Sequence, residues 1–182
     1  MNYSQMVSQL AKPGSEILES LTPLNAHLIH MSMGICGEVA ELIEANVLKY
    51  IIEELGDVEF YFEGMCQGLD IELPSTVLTL DEISKTDCGI NFKEDVVVKA
   101  GSILDTTKKL TIYGNKNKLH ELLSHMKDFR NMLDLFYGIS NISRSHVLAA
   151  NMKKLGKRYQ GFEYSDSSAI ARVDKSKEIS NG

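Results

Sequence analysis

Residues 34–62, GICGEVAELIEANVLKYIIEELGDVEFYF, place acidic side chains at the border of an apolar helical face, which limits what the chain can fold into. The range Glu38–Glu63 holds seven glutamates, one aspartate and a single lysine. Successive residues of an α-helix lie about 100° apart around its axis, which puts Glu38 about 40° from the apolar Leu42. A helix that buries Leu42 therefore brings Glu38 to the edge of the core, where a carboxylate needs a partner.

Four acids share this position, two on each of two neighbouring helical segments. Glu38 and Glu41 are spaced i, i+3 on the first segment, and Glu54 and Asp57 repeat the spacing on the second. The link between the segments, at residues 46–50, is short enough to make them antiparallel neighbours. The sequence thus predicts that the four carboxylates meet at the edge of a helix-bundle core.

Four ionised carboxylates this close repel one another, so either their pKa values rise or a cation neutralises them. Oxygen ligands without histidine or cysteine favour Mg²⁺, with Mn²⁺ as a substitute, and Mg²⁺ commonly keeps coordination sites for substrate phosphates. The alternative is a solvated acidic face without a metal, but the repetition of the pattern on two adjacent helices favours the metal. We expect the solvated role for the other four glutamates, Glu44, Glu53, Glu59 and Glu63.

The second half of the chain resembles the first. One alignment matches Gly37 with Gly101, and a second places Asp57 over Asp128. The apolar pattern repeats in both alignments, while most of the acids of the first half have no acidic counterpart in the second. We interpret this as a duplicated helical hairpin with a degenerate second copy, although two unrelated amphipathic hairpins would share a helical period too.

EVAE at residues 38–41, followed by EELGD at 53–57, resembles the ExxE…ExxD signature of the MazG-like all-α nucleoside triphosphate pyrophosphohydrolases, which are related to dimeric dUTPase- and dCTPase-type enzymes. HMSMGICGEVAEL and IIEELGDVEFY are similar to the two motif helices of that family. The C-terminal NMKKLGKRYQGFEYSDSSAIARVD is similar to an ending common among its members. Together with KKLTIYGNKNKLHELL in the second half, these segments cover well over half the chain.

The resemblance implies an all-α fold with a four-helix core, and Mg²⁺ held by Glu38, Glu41, Glu54 and Asp57. It implies cleavage of a nucleoside triphosphate between the α- and β-phosphates, giving a nucleoside monophosphate and pyrophosphate. One of the glutamates would orient or deprotonate the attacking water. The expected role is control or cleansing of the nucleotide pool.

Further residues are expected to bind the substrate. Three of them lie on one face of the last helix at i, i+3 and i+7, although basic residues there also suit the negative end of the helix dipole. His30 precedes the first motif, where a plain packing role is the alternative. The two lysines of the second half would reach the phosphates if both halves form one bundle. The full set is His30, Lys108, Lys109, Asn151, Lys154, Arg158 and Tyr159.

The chain of 182 residues fits one domain at 1–164, followed by a polar tail at 165–182. Within the domain we expect a motif hairpin at 24–69, an irregular connector at 70–97, a second hairpin at 98–140 and a last helix at 145–160. Two short segments of the connector region, residues 75–80 and 94–98, have the composition of strands.

Composition excludes several classes of function. The net charge of −6 with mixed signs argues against a nucleic-acid surface, and no apolar run approaches a membrane span. Three cysteines without CxxC spacing, Cys36, Cys66 and Cys88, predict reduced thiols in a cytoplasmic protein. HELLSH at 120–125 separates its histidines by five residues, too far around a helix to share one zinc ion.

Two other functions compete with the pyrophosphohydrolase. One is a non-catalytic helical interaction module with a residual metal site, which the degenerate second half favours. The other is a hydrolase of a different nucleotide phosphate ester. The intact set of four acids favours the pyrophosphohydrolase. We also expect a homodimer or higher homo-oligomer.

Overall fold

A computed structural model describes residues 1–76, 79 and 91–174, and the regular structure in that part of the chain is entirely helical. The predicted all-α class is therefore confirmed. Cys88 and residues 77, 78 and 80 of the predicted strand at 75–80 lie outside the described residues. The α-helices are α1 (Tyr3–Leu10), α2 (Gly14–Ser20), α3 (Pro23–Glu44), α4 (Leu48–Leu69), α5 (Phe92–Thr111), α6 (Leu119–Ser140), α7 (Arg144–Arg158) and α8 (Asp166–Ala171), with 3₁₀ turns at Lys116–Lys118 and Gln160–Phe162.

Helices α3 and α4 form the antiparallel hairpin that the acidic motif predicts. The Thr22 side chain caps α3 by accepting a hydrogen bond from the Asn25 backbone N–H at 3.1 Å, and Pro23 occupies the first helical position. Helix α3 continues without a break through Gly34. A Cβ atom on Gly34 would lie 2.3 Å from the ring of Tyr61, so the missing side chain lets α4 pack closely.

The prediction of a strand at residues 94–98 is wrong, because these residues belong to α5. Val96, Ala100 and Ile103 are buried at spacings i, i+4 and i+7, which is the period of a helix. Packing against the bundle thus overrides the β preference of three consecutive valines. The second hairpin accordingly begins at Phe92, six residues earlier than the sequence pattern indicated.

Helices α3, α4, α5 and α6 enclose one apolar core, and α7 packs against α4. Helices α3 and α5 run antiparallel, since Cys36 Sγ lies 3.4 Å from Ala100 O while Lys93 Nζ donates to Ile43 O at 2.8 Å. All four helices and α7 contribute fully buried side chains. They include Ile35, Val39, Leu55, Val58, Met65, Val96, Ile103, Leu122, Met126, Phe129, Leu133 and Val147.

The expectation of a solvated Glu59 is also wrong, because its side chain is buried between α4, α6 and α7. Arg130 donates to it from Nη1 and Nη2, each at 2.9 Å, and Arg144 donates from Nε at 3.0 Å and Nη2 at 2.9 Å. The Tyr137 hydroxyl donates a fifth hydrogen bond at 3.0 Å. Glu59 therefore joins three helices through a fully bonded ion cluster.

Helices α1, α2 and α8 lie outside the four-helix core. Helices α1 and α2 bury no residue, and Lys12 Nζ donates to Ile112 O at 2.8 Å beside the end of α5. The predicted polar tail contains α8, whose cap residue Ser165 accepts a hydrogen bond from the Ser168 backbone N–H at 3.2 Å. Among the helices of the described ranges, none combines the length with the apolar character that a membrane span needs.

Candidate metal centre

Glu38, Glu41 and Glu54 converge beside the link between α3 and α4. Each residue contributes one carboxylate oxygen to a group of three oxygens that all lie within 4.8 Å of one another. Glu54 is buried, Glu38 is half-buried and Glu41 is exposed, so the cluster opens to solvent on the Glu41 side. No donor from the described residues is bonded to any of the three carboxylates.

Crowding changes the acidity of this cluster. Burial, followed by the charges of Asp57, Glu41 and Glu54, raises the pKa of Glu38 to about 7. Burial, followed by the charges of Glu41 and Asp57, also raises the pKa of Glu54 above its ordinary value. Because the charges of neighbouring acids contribute to both shifts after burial, a bound cation would relieve repulsion at Glu38 and Glu54.

The residues of the cluster fit a hard divalent ion. All three side chains offer oxygen, which Mg²⁺ and Mn²⁺ prefer. Ligand atoms lie about 2.0–2.1 Å from a Mg²⁺ ion. Oxygens already within 4.8 Å of one another therefore need only small side-chain rotations to share an ion.

Asp57, the fourth acid of the motif, has different partners. Its Oδ1 accepts a hydrogen bond from Asn151 Nδ2 at 2.7 Å, and its Oδ2 forms an ion pair with Lys154 Nζ. Lys154 Nζ also lies 3.6 Å from Glu53 Oε1. The structure thus brings Asn151 and Lys154 of α7 to the acidic motif, as expected, but it joins them to Asp57.

A cavity of about 630 Å³ adjoins the cluster between the first turns of α4 and one face of α7. Glu54 and Lys154 both line it, so the cavity is continuous with the acidic residues. Its volume lies within the range of about 300–1,000 Å³ that is usual for small-molecule sites. The remaining walls combine apolar side chains with lysines and a histidine, among them Leu48, Ile52, Ala150, Lys49, His146, Lys153 and Lys157.

Arg158 and Tyr159 face the C-terminal segment. Arg158 donates to Asp174 from Nε at 2.8 Å and from Nη2 at 2.6 Å, and Asp174 also lines the cavity. The ring of Tyr159 lies 5.8 Å from that of Tyr164. Sequence reasoning missed Asp174, although it closes the C-terminal segment that the family resemblance includes.

His30 does not reach the cluster. It is exposed on α3, two helical turns before Glu38, or about 12 Å along the axis. Its ring lies edge-on to the ring of Tyr61 at 6.0 Å. The structure therefore gives His30 an aromatic neighbour and leaves its expected contact with substrate unsupported.

Lys108 and Lys109 lie at the other end of the bundle. The antiparallel contacts of α3 with α5 pair Cys36 with Ala100, which sets Lys108 about ten residues, or about 15 Å, from the level of Glu38. Both lysines bind Asp105, at 2.7 Å and 2.5 Å. The second half therefore does not supply these two cations to the acidic cluster.

Tyr61 is a neighbour of the cluster that sequence reasoning assigned no role. It lies one turn after Asp57 on α4 and packs across Gly34 of α3. Burial, followed by the charges of Glu38 and Asp57, raises the pKa of its hydroxyl. Its spacing of i+4 from Asp57 and i+7 from Glu54 was the available signal, because these intervals share one helical face.

No family model, no curated protein and no solved structure matches the chain. A function must therefore be inferred from its side chains and their arrangement.

Proposed function

We propose that this chain is a Mg²⁺-dependent pyrophosphohydrolase, which hydrolyses a nucleoside triphosphate to a nucleoside monophosphate and pyrophosphate. The observation that carries this proposal is the convergence of Glu38, Glu41 and Glu54, whose carboxylates accept no hydrogen bond from the described residues, beside a cavity walled by lysines. Carboxylates suit the metal ion, and lysines suit the phosphates that accompany it. The cavity also has apolar walls for a nucleoside.

Different residues would bind the metal ion, attract the phosphates and accept the proton in this reaction. Glu38, Glu41 and Glu54 would hold Mg²⁺, which supplies positive charge for the phosphate oxygens when bound. Lys153 and Lys157 face the cavity, where their charges attract the polyphosphate. A water oxygen bonds to the α-phosphorus while the bond to the α–β bridging oxygen breaks. A carboxylate of the cluster accepts the water proton, and pyrophosphate leaves with the bridging oxygen.

We also propose that the four-helix core is the MazG-like bundle and arose by duplication of a hairpin. The alignment of Gly37 with Gly101 is an offset of 64 residues, and Cys36 contacts Ala100 at that same separation. The alignment of Asp57 with Asp128 is an offset of 71 residues, and Glu59 binds Arg130 at that separation. Contacts between equivalent positions are what a twofold relation between two hairpins produces. Homo-oligomerisation stays a prediction.

A substrate panel tests the activity. We expect hydrolysis of at least one NTP or dNTP with Mg²⁺, none with a chelator, and chromatographic recovery of monophosphate and pyrophosphate in equal amounts. Glu54→Gln should lower turnover by at least about 10²-fold, since metal stabilisation of transition-state charge is worth several kcal/mol.

The matched control is Glu63→Gln, an exposed glutamate of the same helix, which should retain turnover. Cleavage of no nucleotide would overturn the proposal. Release of inorganic phosphate and a nucleoside diphosphate would contradict cleavage between the α- and β-phosphates. Wild-type turnover in Glu54→Gln would show that the acidic cluster takes no part in the reaction.

A further inference from the structure

The four acids of the motif separate into two groups by their partners. Glu38, Glu41 and Glu54 have no bonded donor within the described ranges, whereas both oxygens of Asp57 hold one. The acid that has partners is also the one whose oxygens fall outside the mutual 4.8 Å grouping. Asp57 therefore differs from the other three acids in what neutralises its charge.

Close packing of α7 on α4 produces this difference. At Gly56 a Cβ atom would lie 2.8 Å from Asn151 Cβ, so only glycine lets the two helices approach so closely at this level. Asn151 is buried at the contact, and Lys154 follows it by three residues on the same face. The approach of the helices thus presents an amide and an ammonium group directly to Asp57.

We propose that the centre holds one metal ion at Glu38, Glu41 and Glu54, and that the ammonium of Lys154 supplies at Asp57 the positive charge of a second ion. This inference rests on the proposed function. Lys154 lines the cavity as well as binding Asp57, so its charge lies between the motif and the substrate phosphates. In two-metal hydrolases the second cation stabilises the leaving oxygens, and an ammonium in this place does the same by charge and hydrogen bonding.

The burial of the pair explains why a second ion does not displace Lys154. The side chains of Lys154 and Asp57 are 13% and 15% exposed. An ion that took Asp57 would leave a largely buried ammonium whose one remaining ion-pair partner among the described residues is Glu53, at 3.6 Å. Leaving a buried charge without its partner is costly. The unpaired glutamates offer an ion a site without that cost.

Counting bound Mn²⁺ tests the inference. Titration of the full chain, with free Mn²⁺ measured by electron paramagnetic resonance, should give one ion per chain. Asp57→Asn should also bind one ion with affinity within about threefold of wild type, because Asp57 is not a ligand. Lys154→Met, which frees Oδ2 of Asp57 while Asn151 still donates to Oδ1, should bind a second ion. The matched control Lys127→Met removes an exposed lysine of α6 and should bind one.

Each outcome decides between the proposals. Two ions in the wild type, loss of binding in Asp57→Asn, or one ion in a folded Lys154→Met would each overturn the role of Lys154 while leaving the metal site. No ion in the wild type would overturn the metal-dependent function itself. Circular dichroism and thermal unfolding establish whether each variant is folded. If Lys154→Met does not fold, Asp57→Asn still tests the inference.

Discussion

At the scale of single residues, Glu54 and Glu59 are two buried glutamates of one helix that differ in their hydrogen-bond partners. Glu54 is 8% exposed and Glu59 is 2% exposed, so burial alone does not distinguish them. Glu59 accepts five hydrogen bonds from Arg130, Arg144 and Tyr137, whereas Glu54 accepts none from the described residues. A buried carboxylate with bonded partners serves the structure, and one without them is available to a ligand.

Replacing Glu59 should weaken the fold and leave the acidic cluster of Glu38, Glu41 and Glu54 intact. Glu59→Gln leaves Arg144 without the Glu59 carboxylate and Arg130, among the described residues, with the carboxylate of Asp134 alone, so we expect the free energy of unfolding in urea to fall by about 3–5 kcal/mol. Glu63→Gln, an exposed change on the same helix, should alter it by less than about 0.5 kcal/mol. An equal effect of both changes would contradict the structural role of the ion cluster.

The Glu59 carboxylate also makes the stability of the fold depend on pH. Burial alone raises its pKa, but hydrogen bonds from Arg144 and Arg130 hold the pKa of Glu59 below its ordinary value. The contribution of ionised Glu59 to the free energy of unfolding is complete above the unfolded-chain pKa of about 4.3. That contribution is lost as the pH falls through the lower pKa of the folded state. Below about pH 4 the stability difference between wild type and Glu59→Gln should therefore shrink.

At the scale of helices, glycine positions decide how close α4 comes to its neighbours. Gly34 of α3 accommodates Tyr61, and Gly56 of α4 accommodates Asn151. Neither position serves a turn, because both lie inside long helices, where glycine costs about 1 kcal/mol relative to alanine. The packing that these glycines permit must outweigh that cost.

Alanine at two glycines should therefore change stability in opposite directions. Gly56→Ala forces α7 away from α4, and we expect unfolding free energy to fall by about 1–2 kcal/mol despite the better helix propensity. Gly101 has nothing within 4 Å of its missing Cβ, so Gly101→Ala should gain up to about 1 kcal/mol. Chemical denaturation measures both, and a gain in Gly56→Ala would show that the helices are not in close contact there.

Helical period predicted α3, α4, α6, α7 and most of α5, but not α1, α2 or α8. Of the four acids that it placed together, three form the cluster. It predicted the hairpin because the spacing of apolar residues within one helix is a local property. It did not predict the burial of Glu59 or the pairing of Asp57, because Arg130 and Lys154 are 71 and 97 residues away along the chain. The helical state of residues 94–98 was missed because tertiary packing opposed the local β preference.

At the scale of the whole molecule, pairs of lysines at the two ends of the bundle have different surroundings. Lys153 and Lys157 line the cavity beside the glutamates. Lys108 and Lys109 lie near the opposite end, where Asp105 binds both. Only the first pair is placed to attract a phosphate substrate to the acidic centre.

Two double variants with the same change in charge should therefore behave differently. Lys153→Ala with Lys157→Ala should raise KM for the triphosphate by at least about tenfold, since hydrogen bonds to charged groups are worth about 1.5–3 kcal/mol. Lys108→Ala with Lys109→Ala should leave kcat and KM within about twofold of wild type. Steady-state kinetics measure both, and a large effect of the second pair would mean that it reaches the site after all.

The contact of Glu59 with Arg130 has a consequence for the history of the chain. Under the proposed duplication these positions are copies of one ancestral site, and two identical hairpins would set like charge against like charge there. Under that same proposal, an oppositely charged pair at this contact requires two copies that differ in sequence. The first half then keeps the acidic cluster, and the second half supplies helices that pack against it.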